Sequence, residues 1–179
     1  MPEEARTAQF DVQRHDAAGI VSTAEFSACG GYRYSLTRQW SDTRARLLFV
    51  LLNPSTADAA HNDPTVARCM RRAQLGGFGA FRVVNLFAYR ATRPADLFAA
   101  ASPIGPDNDK ALVAGARWAD HIICGWGAHG AHLGRNAAVG TLLRQMGKPL
   151  LALGTTRCGN PRHPLYLPYG LAAQPWEAP

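Results

Sequence analysis

The chain has 179 residues, of which 47% are hydrophobic and 18% are charged. This length fits one compact domain and this composition supplies a hydrophobic core, so general disorder is excluded. The formal net charge is +6 and 17 of the 19 basic residues are arginine, which favours a polyanionic partner, although a GC-rich genome produces the same bias.

The N-terminal residues, the lack of a long apolar stretch and the cysteines predict a cytoplasmic protein. The N-terminal residues Met1-Pro2-Glu3-Glu4 are acidic and precede no apolar run, unlike a secretory signal. No stretch reaches the ~18 apolar residues that a membrane span needs. Four isolated cysteines without a CxxC pair are typical of reduced, mostly buried thiols and argue against an iron–sulfur cluster. They are Cys29, Cys69, Cys124 and Cys158.

The N-terminal part of the chain differs from the rest. Residues 1–20 are polar and aperiodic, which predicts a loose arm followed by a single α/β domain over residues 21–179. Residues 24–28 and 32–40 flank a Cys29-Gly30-Gly31 turn, and the second run alternates apolar with polar side chains. This pattern predicts an antiparallel hairpin with one face exposed to water.

Four short apolar runs downstream predict strands that are covered on both faces. They are Arg46–Leu52, Phe81–Leu86, His121–Cys124 and Pro149–Leu153. Three helical patterns lie between them, one from Asp63-Pro64 to Leu75-Gly76-Gly77 and the others over residues 106–119 and 134–146. This alternation predicts an α/β layered domain with a mostly parallel sheet.

Each predicted strand leads into an unusual polar segment. The four segments are Asn53–Asp58, Asn85–Thr92, Gly125–Gly130 and Pro161–Leu167. Because ligands of parallel sheets bind beyond the carboxyl ends of the strands, we expect the four segments to form one cleft at one edge of the sheet.

Three polar side chains in these segments are candidates for ligand contacts. Asn53 precedes a proline at a strand end, and Asn85 ends a run of valines. An amide carries donors and an acceptor side by side, so it either reads the edge of a nucleobase or ties two loops together. His163, in a Pro-rich loop, either donates a hydrogen bond to a developing anion or is an ordinary loop histidine.

Other chemistries have weaker patterns. Cys124, His129 and His132 could hold zinc, but a fourth ligand at a suitable spacing is missing, so no metal site is predicted. Ser55 and Thr56 offer hydroxyl nucleophiles without a GxSxG elbow. Since GxGxxG and Walker A sequences are absent, no dinucleotide or NTP cofactor is expected.

The sequence from about Glu25 to Pro168 resembles a bacterial and phage family of domains of unknown function, family 1643. The phrases that carry the resemblance are Tyr32-Arg33-Tyr34, Leu52–Asp58, Asn85–Thr92, Trp126-Gly127 and Arg162–Tyr166. The same segments, in the same order, are distantly similar to the uracil-DNA glycosylase superfamily, and in particular to its mismatch-specific branch.

The glycosylase resemblance implies a three-layer α/β/α fold with a central, mostly parallel four-stranded sheet, to which the N-terminal antiparallel hairpin is added. Asn53-Pro54 is similar to the motif that positions water, Asn85 to an asparagine facing the base, and His163-Pro164 to the loop that binds the carbonyl oxygen of the base. Two departures stand out. Leu165-Tyr166 replaces a serine that contacts phosphate, and Asn53 replaces the aspartate of the most active branch, which predicts weak general-base help.

The sequence therefore predicts a nucleobase-handling enzyme, an N-glycosidase that acts on a modified or deaminated base in nucleic acid, without cofactor or metal. The predicted catalytic residues are Asn53, which orients the water, and His163, which stabilises the departing base. The predicted base-binding residues are Asn85, Phe87, Tyr89 and Trp126. The predicted nucleic-acid contacts are Ser55, Thr56, Arg90, Arg162 and Tyr166.

Two other functions remain open at this point. The first is a non-catalytic module that binds nucleic acid or a modified nucleotide in the same cleft, with strongly salt-dependent affinity and no turnover. The second is a small-molecule hydrolase or transferase that uses Ser55 or Thr56, for which a covalent adduct at either hydroxyl would be the sign.

Overall fold

A computed structural model describes residues 10–177, and in this range the chain forms eight strands and four α-helices. The strands are β1 Asp11–Ala17, β2 Ile20–Phe26, β3 Arg33–Gln39, β4 Arg46–Leu51, β5 Ala80–Asn85, β6 His121–Cys124, β7 Leu150–Ala152 and β8 Gln174–Pro175. The helices are α1 Pro64–Leu75, α2 Pro94–Ala99, α3 Asn108–Trp118 and α4 Arg135–Arg144. Two shorter 3-10 segments cover Ala128–Gly134 and Pro164–Tyr166.

The strands form one mixed sheet in the order β1-β2-β3-β5-β4-β6-β7-β8. The inner neighbours β5-β4, β4-β6 and β6-β7 pair in parallel, whereas the four outer pairings are antiparallel. The α/β class is thus confirmed, and a strand lies at each of the four apolar runs. The sheet as a whole is mixed rather than mostly parallel, because strands at both edges add antiparallel pairings.

The predicted loose arm is wrong for residues 11–17. They form β1, which pairs with β2 along its whole length, and every side chain of β1 is exposed. The two strands are joined by Ala18 and Gly19, which both have positive φ, as a two-residue hairpin turn requires. An edge strand with water on both faces needs no apolar alternation, so its sequence pattern is that of a loop. Residues 1–9 lie outside the described range.

The predicted hairpin around Cys29-Gly30-Gly31 is confirmed as β2 and β3. Its second strand, however, has no exposed face, because β3 lies between β2 and β5 and six of its seven residues are buried. A bulge at the end of β2 shifts the register so that Phe26 pairs with Arg33. Polar side chains that the alternation predicted to face water are therefore buried inside the protein.

The hydrophobic core occupies both faces of the sheet. Alternate residues of β4 divide between the two sides: Leu48 and Val50 pack against α2, α3 and α4, while Leu47, Phe49 and Leu51 pack against α1. Burying one such side chain stabilises the fold by about 1.5–3 kcal/mol. Helices therefore pack against both faces of the inner strands.

Helix α1 begins and ends where the sequence predicts. The side chain of Asp63 caps the helix by accepting a hydrogen bond from the backbone N–H of Val66 (2.9 Å), and Pro64 occupies the first turn. The chain leaves the helix through Gly76 and Gly77, the second of which has φ +76°. Helices α3 and α4 also match their predicted ranges, whereas the short helix α2 and strand β8 were not predicted.

A C-terminal strap, residues 167–173, lies against α1. Arg72 of α1 is buried and donates from Nη1 and Nη2 to the backbone carbonyls of Leu167, Pro168, Tyr169 and Leu171. Arg68 donates to the carbonyl of Leu167 and lies over the ring of Tyr169 at 4.2 Å. These two arginines therefore attach the strap to α1. None of the described helices has both the length and the apolar character to cross a membrane.

Candidate functional site

The segments that follow β4 and β5 run side by side. Leu51 and Asn85 are paired residues of these two parallel strands. Beyond the strands, the N–H of Phe87 donates to the carbonyl of Leu52 (3.0 Å) and the N–H of Ala91 donates to the carbonyl of Pro54 (2.9 Å). Asn53 and Asn85 therefore lie at the same edge of the sheet.

The segments after β6 and β7 meet the same edge. A Cβ atom on Gly125 would lie 3.0 Å from Cδ of Pro164 and 3.3 Å from a methyl group of Leu51, so a larger residue would push these neighbours apart by a few tenths of an ångström. The N–H of Gly127 donates to the carbonyl of Pro161 (2.8 Å), which fixes the His163 loop over the end of β6. The four segments together, residues 52–58, 85–92, 125–127 and 161–166, are named the strand-end rim below.

Asn53 uses both hydrogens of its amide on the backbone. Its Nδ2 donates to the carbonyl of Pro54 (3.0 Å) and to that of Ala91 (2.7 Å), which ties the segment after β4 to the segment after β5. This is the loop-tying role that the sequence left open beside the catalytic one. Only Oδ1, an acceptor, is left to orient a water or a ligand donor.

Asn85 is buried, with 2% of its surface exposed, and its Oδ1 has no hydrogen-bond partner among the described residues. Its backbone carbonyl is held from the other side of the sheet by Nδ2 of Asn108, at 3.0 Å. Leaving a buried amide oxygen unpaired costs about 1–3 kcal/mol. This destabilising group lies at a position where the sequence predicts contact with a ligand.

His163 presents one ring nitrogen to ligands. Its Nδ1 accepts a hydrogen bond from the N–H of Leu165 (3.3 Å), so in the neutral ring the proton lies on Nε2. Burial lowers the pKa of His163, and the negative charge of Asp63 opposes this shift. The imidazole is thus favoured in its neutral form and offers an Nε2–H donor.

Arg33 is a buried cation at the rim that the sequence did not mark as a site residue. It is 2% exposed, its Nη1 donates to the carbonyl of Ala57 (2.9 Å), and its Nε has no partner among the described residues. Its backbone N–H bonds the carbonyl of Ala88 (3.0 Å), which joins β3 to the segment after β5. Burial lowers the pKa of Arg33 to about 10, and Asp63 opposes this shift, so the guanidinium remains charged at neutral pH.

Comparison with known protein families gives a match that spans most of the chain. Residues 33–165 match a family described as "Protein of unknown function (DUF1643)". The chain belongs to the DUF1643 family. No curated protein and no solved structure matches it. The matched range begins at Arg33 and includes Asn53, Asn85 and His163, so the DUF1643 region contains the residues that the structure brings to the rim.

Two of the aromatic residues predicted to bind the base lie in the core beneath the rim of this DUF1643 chain. Phe87 is fully buried and Trp126 is 1% exposed. The indole Nε1–H of Trp126 donates to Oδ1 of Asn160 (3.2 Å), and its ring packs edge-on against Trp176. Neither ring has a free face for a base to stack on, because Phe87 packs against His132 and Trp126 packs against Gly130 and Trp176. Tyr89, which is half-buried against Tyr32, keeps part of its ring accessible.

The residues predicted to contact nucleic acid lie on the outer surface of the rim. They are Ser55, Thr56, Arg90, Arg162 and Tyr166, of which Ser55 is half-buried and the others are exposed. The hydroxyl of Ser55 pairs with that of Thr92 (3.1 Å), and Nη1 of Arg90 donates to the carbonyl of Gly30 (3.1 Å). Tyr166 is 87% exposed. A polyanion approaching the rim would meet these side chains first.

The weak zinc pattern has no counterpart in the fold. Cys124 is fully buried at the end of β6, and burial raises the pKa of its thiol. His129 is exposed, and both His129 and His132 pack around the ring of Phe98. Within residues 10–177 no three histidine, cysteine or acidic side chains are grouped so that they could hold a metal ion.

A cavity of about 300 Å³ lies apart from the rim, on the α1 face of the sheet. It is lined by Arg72, Leu75, Phe78, Leu151 and the strap. The η nitrogens of Arg72 are already bonded to strap carbonyls, and none of the predicted site residues borders this cavity. The candidate site is therefore assigned to the rim on its chemistry.

Proposed function

We propose that the strand-end rim binds a nucleobase and that the protein hydrolyses the N-glycosidic bond of a modified or deaminated base in nucleic acid. The parallel inner strands β5-β4-β6-β7, with helices on both faces, support a three-layer relation to the uracil-DNA glycosylase superfamily. A shared architecture does not fix a reaction, so the proposal depends on the side chains.

The observation that carries the proposal is the unpaired amide oxygen of Asn85. It is buried at the end of β5, beside β4, the strand that leads into Asn53. An acceptor held in this way is suited to a ring N–H on the edge of a base. The base would have to leave the stacked duplex to reach it, as bases do in enzymes that act on them.

The reaction is a hydrolysis. The bond between C1′ of the sugar and the base nitrogen breaks, and its electron pair stays on the base. A water molecule donates one O–H to Oδ1 of Asn53, its oxygen bonds to C1′ and releases a proton, and the base takes up a proton. The products are the free base and an abasic sugar.

His163 contributes to this reaction as a neutral donor. Its Nε2–H faces the negative charge that develops on a carbonyl oxygen of the leaving base, and a single donor of this kind is worth about 3 kcal/mol. Asn53 cannot remove a proton from water as a carboxylate can. We therefore expect slow turnover that is limited by activation of the water.

The test uses duplex and single-stranded oligonucleotides that contain uracil, hypoxanthine or hydroxymethyluracil. Abasic sites should form with the wild-type protein on at least one of them, and His163→Ala should slow their formation about 100-fold. His15→Ala, on the exposed strand β1, is the matched control and should have full activity. Absence of abasic product from every substrate would contradict the proposal.

A binding module without catalysis is the second candidate. It is favoured by Asn53, whose two amide hydrogens are both engaged by backbone carbonyls. In this case the same oligonucleotides would bind with an affinity that falls steeply with salt, and no abasic product would form.

A further inference from the structure

Arg33 has more hydrogen-bond donors than the protein uses. A guanidinium carries five N–H hydrogens. With 2% of its surface exposed, Arg33 makes one side-chain hydrogen bond, from Nη1 to the carbonyl of Ala57, and its Nε–H is buried without a partner among residues 10–177. A buried charge is normally surrounded by partners because its desolvation costs several kcal/mol.

Arg38 shows that this fold is able to satisfy a buried arginine. It lies on the same strand, is 3% exposed, and also reaches the loop after β4. Its Nε donates to Oδ1 of Asn62 (3.2 Å), Nη1 to the carbonyl of Thr37 (3.2 Å) and Nη2 to the carbonyl of Asp58 (2.6 Å). Arg38 therefore has a partner for each of its three nitrogens, whereas Nε of Arg33 on the same strand has none among the described residues.

The two neighbouring carboxylates accept hydrogen bonds from backbone N–H groups and not from Arg33. The charges of Asp63 and Asp58 both act on Arg33. The carboxylate of Asp63 caps α1 through the N–H of Val66, and that of Asp58 accepts from the N–H groups of Ala60 and His61 (2.8 and 2.7 Å). Neither forms an ion pair with Arg33 in the described structure. The rim therefore holds a cation without a contacting anion.

Arg33 and Asn85 belong to the same patch of the rim. Strand β3 pairs with β5 through Leu36 and Val83, and beyond this pair the N–H of Arg33 bonds the carbonyl of Ala88. Asn85 lies between Val83 and Ala88, so Asn85 and Arg33 belong to neighbouring strands at the same edge of the sheet. One supplies an unpaired donor and the other an unpaired acceptor.

We propose that Arg33 and Asn85 together bind the lactam edge of an oxo-bearing base, in which a ring N–H stands beside a carbonyl oxygen. Arg33 donates to the carbonyl oxygen and Oδ1 of Asn85 accepts from the ring N–H. This inference rests on the proposed function and names its substrate class: uracil-like and hypoxanthine-like bases. A base with an amino group in place of the oxygen, such as cytosine or adenine, directs its own donor hydrogens at the guanidinium and is rejected.

The same contact assists bond cleavage. When the electron pair of the C1′–N bond moves to the base, part of the negative charge reaches the carbonyl oxygen that Arg33 faces. A fixed cation in a site of low dielectric stabilises this charge more strongly than a neutral donor does. Arg33 would then act on the leaving base together with His163.

The test measures the affinity of the wild-type protein for free bases in matched pairs, uracil with cytosine and hypoxanthine with adenine, by calorimetric titration. The oxo member of each pair should bind about 10- to 100-fold more tightly, as a charge-assisted hydrogen bond predicts. In Arg33→Met this preference should fall to about threefold or less. Arg38→Met, the matched control, should be less stable and keep the preference.

Each result decides the inference. A preference that survives in Arg33→Met overturns it. If Arg33→Met does not fold, Arg33→Leu replaces it: leucine also lacks any donor hydrogen, and an unchanged preference in this variant likewise overturns the inference. If the wild type excises or binds bases without favouring the oxo member, the inference fails and the proposed function stands. If it neither binds nor excises any base, both fail.

Discussion

Strand β3 carries a buried arginine near each end, and the two arginines differ in the number of their side-chain hydrogen bonds. At one end, Arg38 donates from all three nitrogens and thereby holds Asp58 and Asn62, in the loop that leads into α1. At the rim end, Arg33 is buried as deeply and makes one side-chain bond. The fold uses the donors of Arg38 to hold a loop, whereas Nε of Arg33 is a buried donor without a partner in the described structure, which reduces stability.

The strap and the rim also differ in how their buried polar groups are hydrogen-bonded. Arg72 makes four hydrogen bonds to carbonyls of the strap, so a positively charged helix face serves to attach a chain segment. Asn85 at the rim has an amide oxygen without a partner. The Nε atoms of Arg68 and Arg72 and Oδ1 of Asn108 also lack partners among residues 10–177, but each of these side chains holds a chain segment through its other polar atoms.

The largest expected effect is on stability, from Arg38→Met. It should lower the free energy of unfolding by about 3 kcal/mol, because it leaves buried carbonyls and the Asn62 amide without their donor. Arg33→Met should change this free energy by no more than about 1 kcal/mol, since it removes a buried charge with few partners. Urea unfolding of both variants measures the difference, and equal losses would end the distinction between the two arginines.

A smaller effect of opposite sign is expected from Asn85→Leu. Replacing an unpaired buried amide by an apolar side chain should raise the free energy of unfolding by about 1 kcal/mol while abolishing base binding. Asn108→Leu is the control, because Nδ2 of Asn108 donates to the carbonyls of Asn85 and Leu86. It should cost about 2 kcal/mol. A comparable loss in Asn85→Leu would show that the Asn85 amide is structural.

The smallest effect is a pH dependence from His163. Its pKa in the folded protein lies below the value of about 6.5 expected in the unfolded chain. The unfolded chain therefore binds more protons as the pH falls, and stability that is fully present above pH ~6.5 declines below it. Thermal unfolding of wild type and His163→Gln between pH 5 and 7.5 should show a steeper decline in the wild type. Parallel profiles would mean that His163 titrates normally.

The inner architecture was predictable from local sequence. Continuous apolar runs identified β4 to β7, and Asp63-Pro64 with Gly76-Gly77 bounded α1, because buried strands and helix caps leave patterns within a few neighbouring residues. Strand β1 has no such pattern, since an exposed edge strand is stabilised by backbone pairing alone. The predicted site segments likewise follow from a local rule, that polar residues after parallel strands share one edge of the sheet.

The sequence by itself determined the α/β class, the inner strands and the segments that form the rim. Only the tertiary structure decided which aromatic side chains of the rim are accessible and which of its polar side chains lack a hydrogen-bond partner. Trp126 and Phe87 are aromatic residues of the kind that stack on a base, but both are buried in the core. Arg33 lies in a run whose alternation predicts an exposed face, but it is buried at the rim. Burial at each position depends on which distant segment covers it, here β5 beside β3, and periodicity within one strand carries no information about that neighbour.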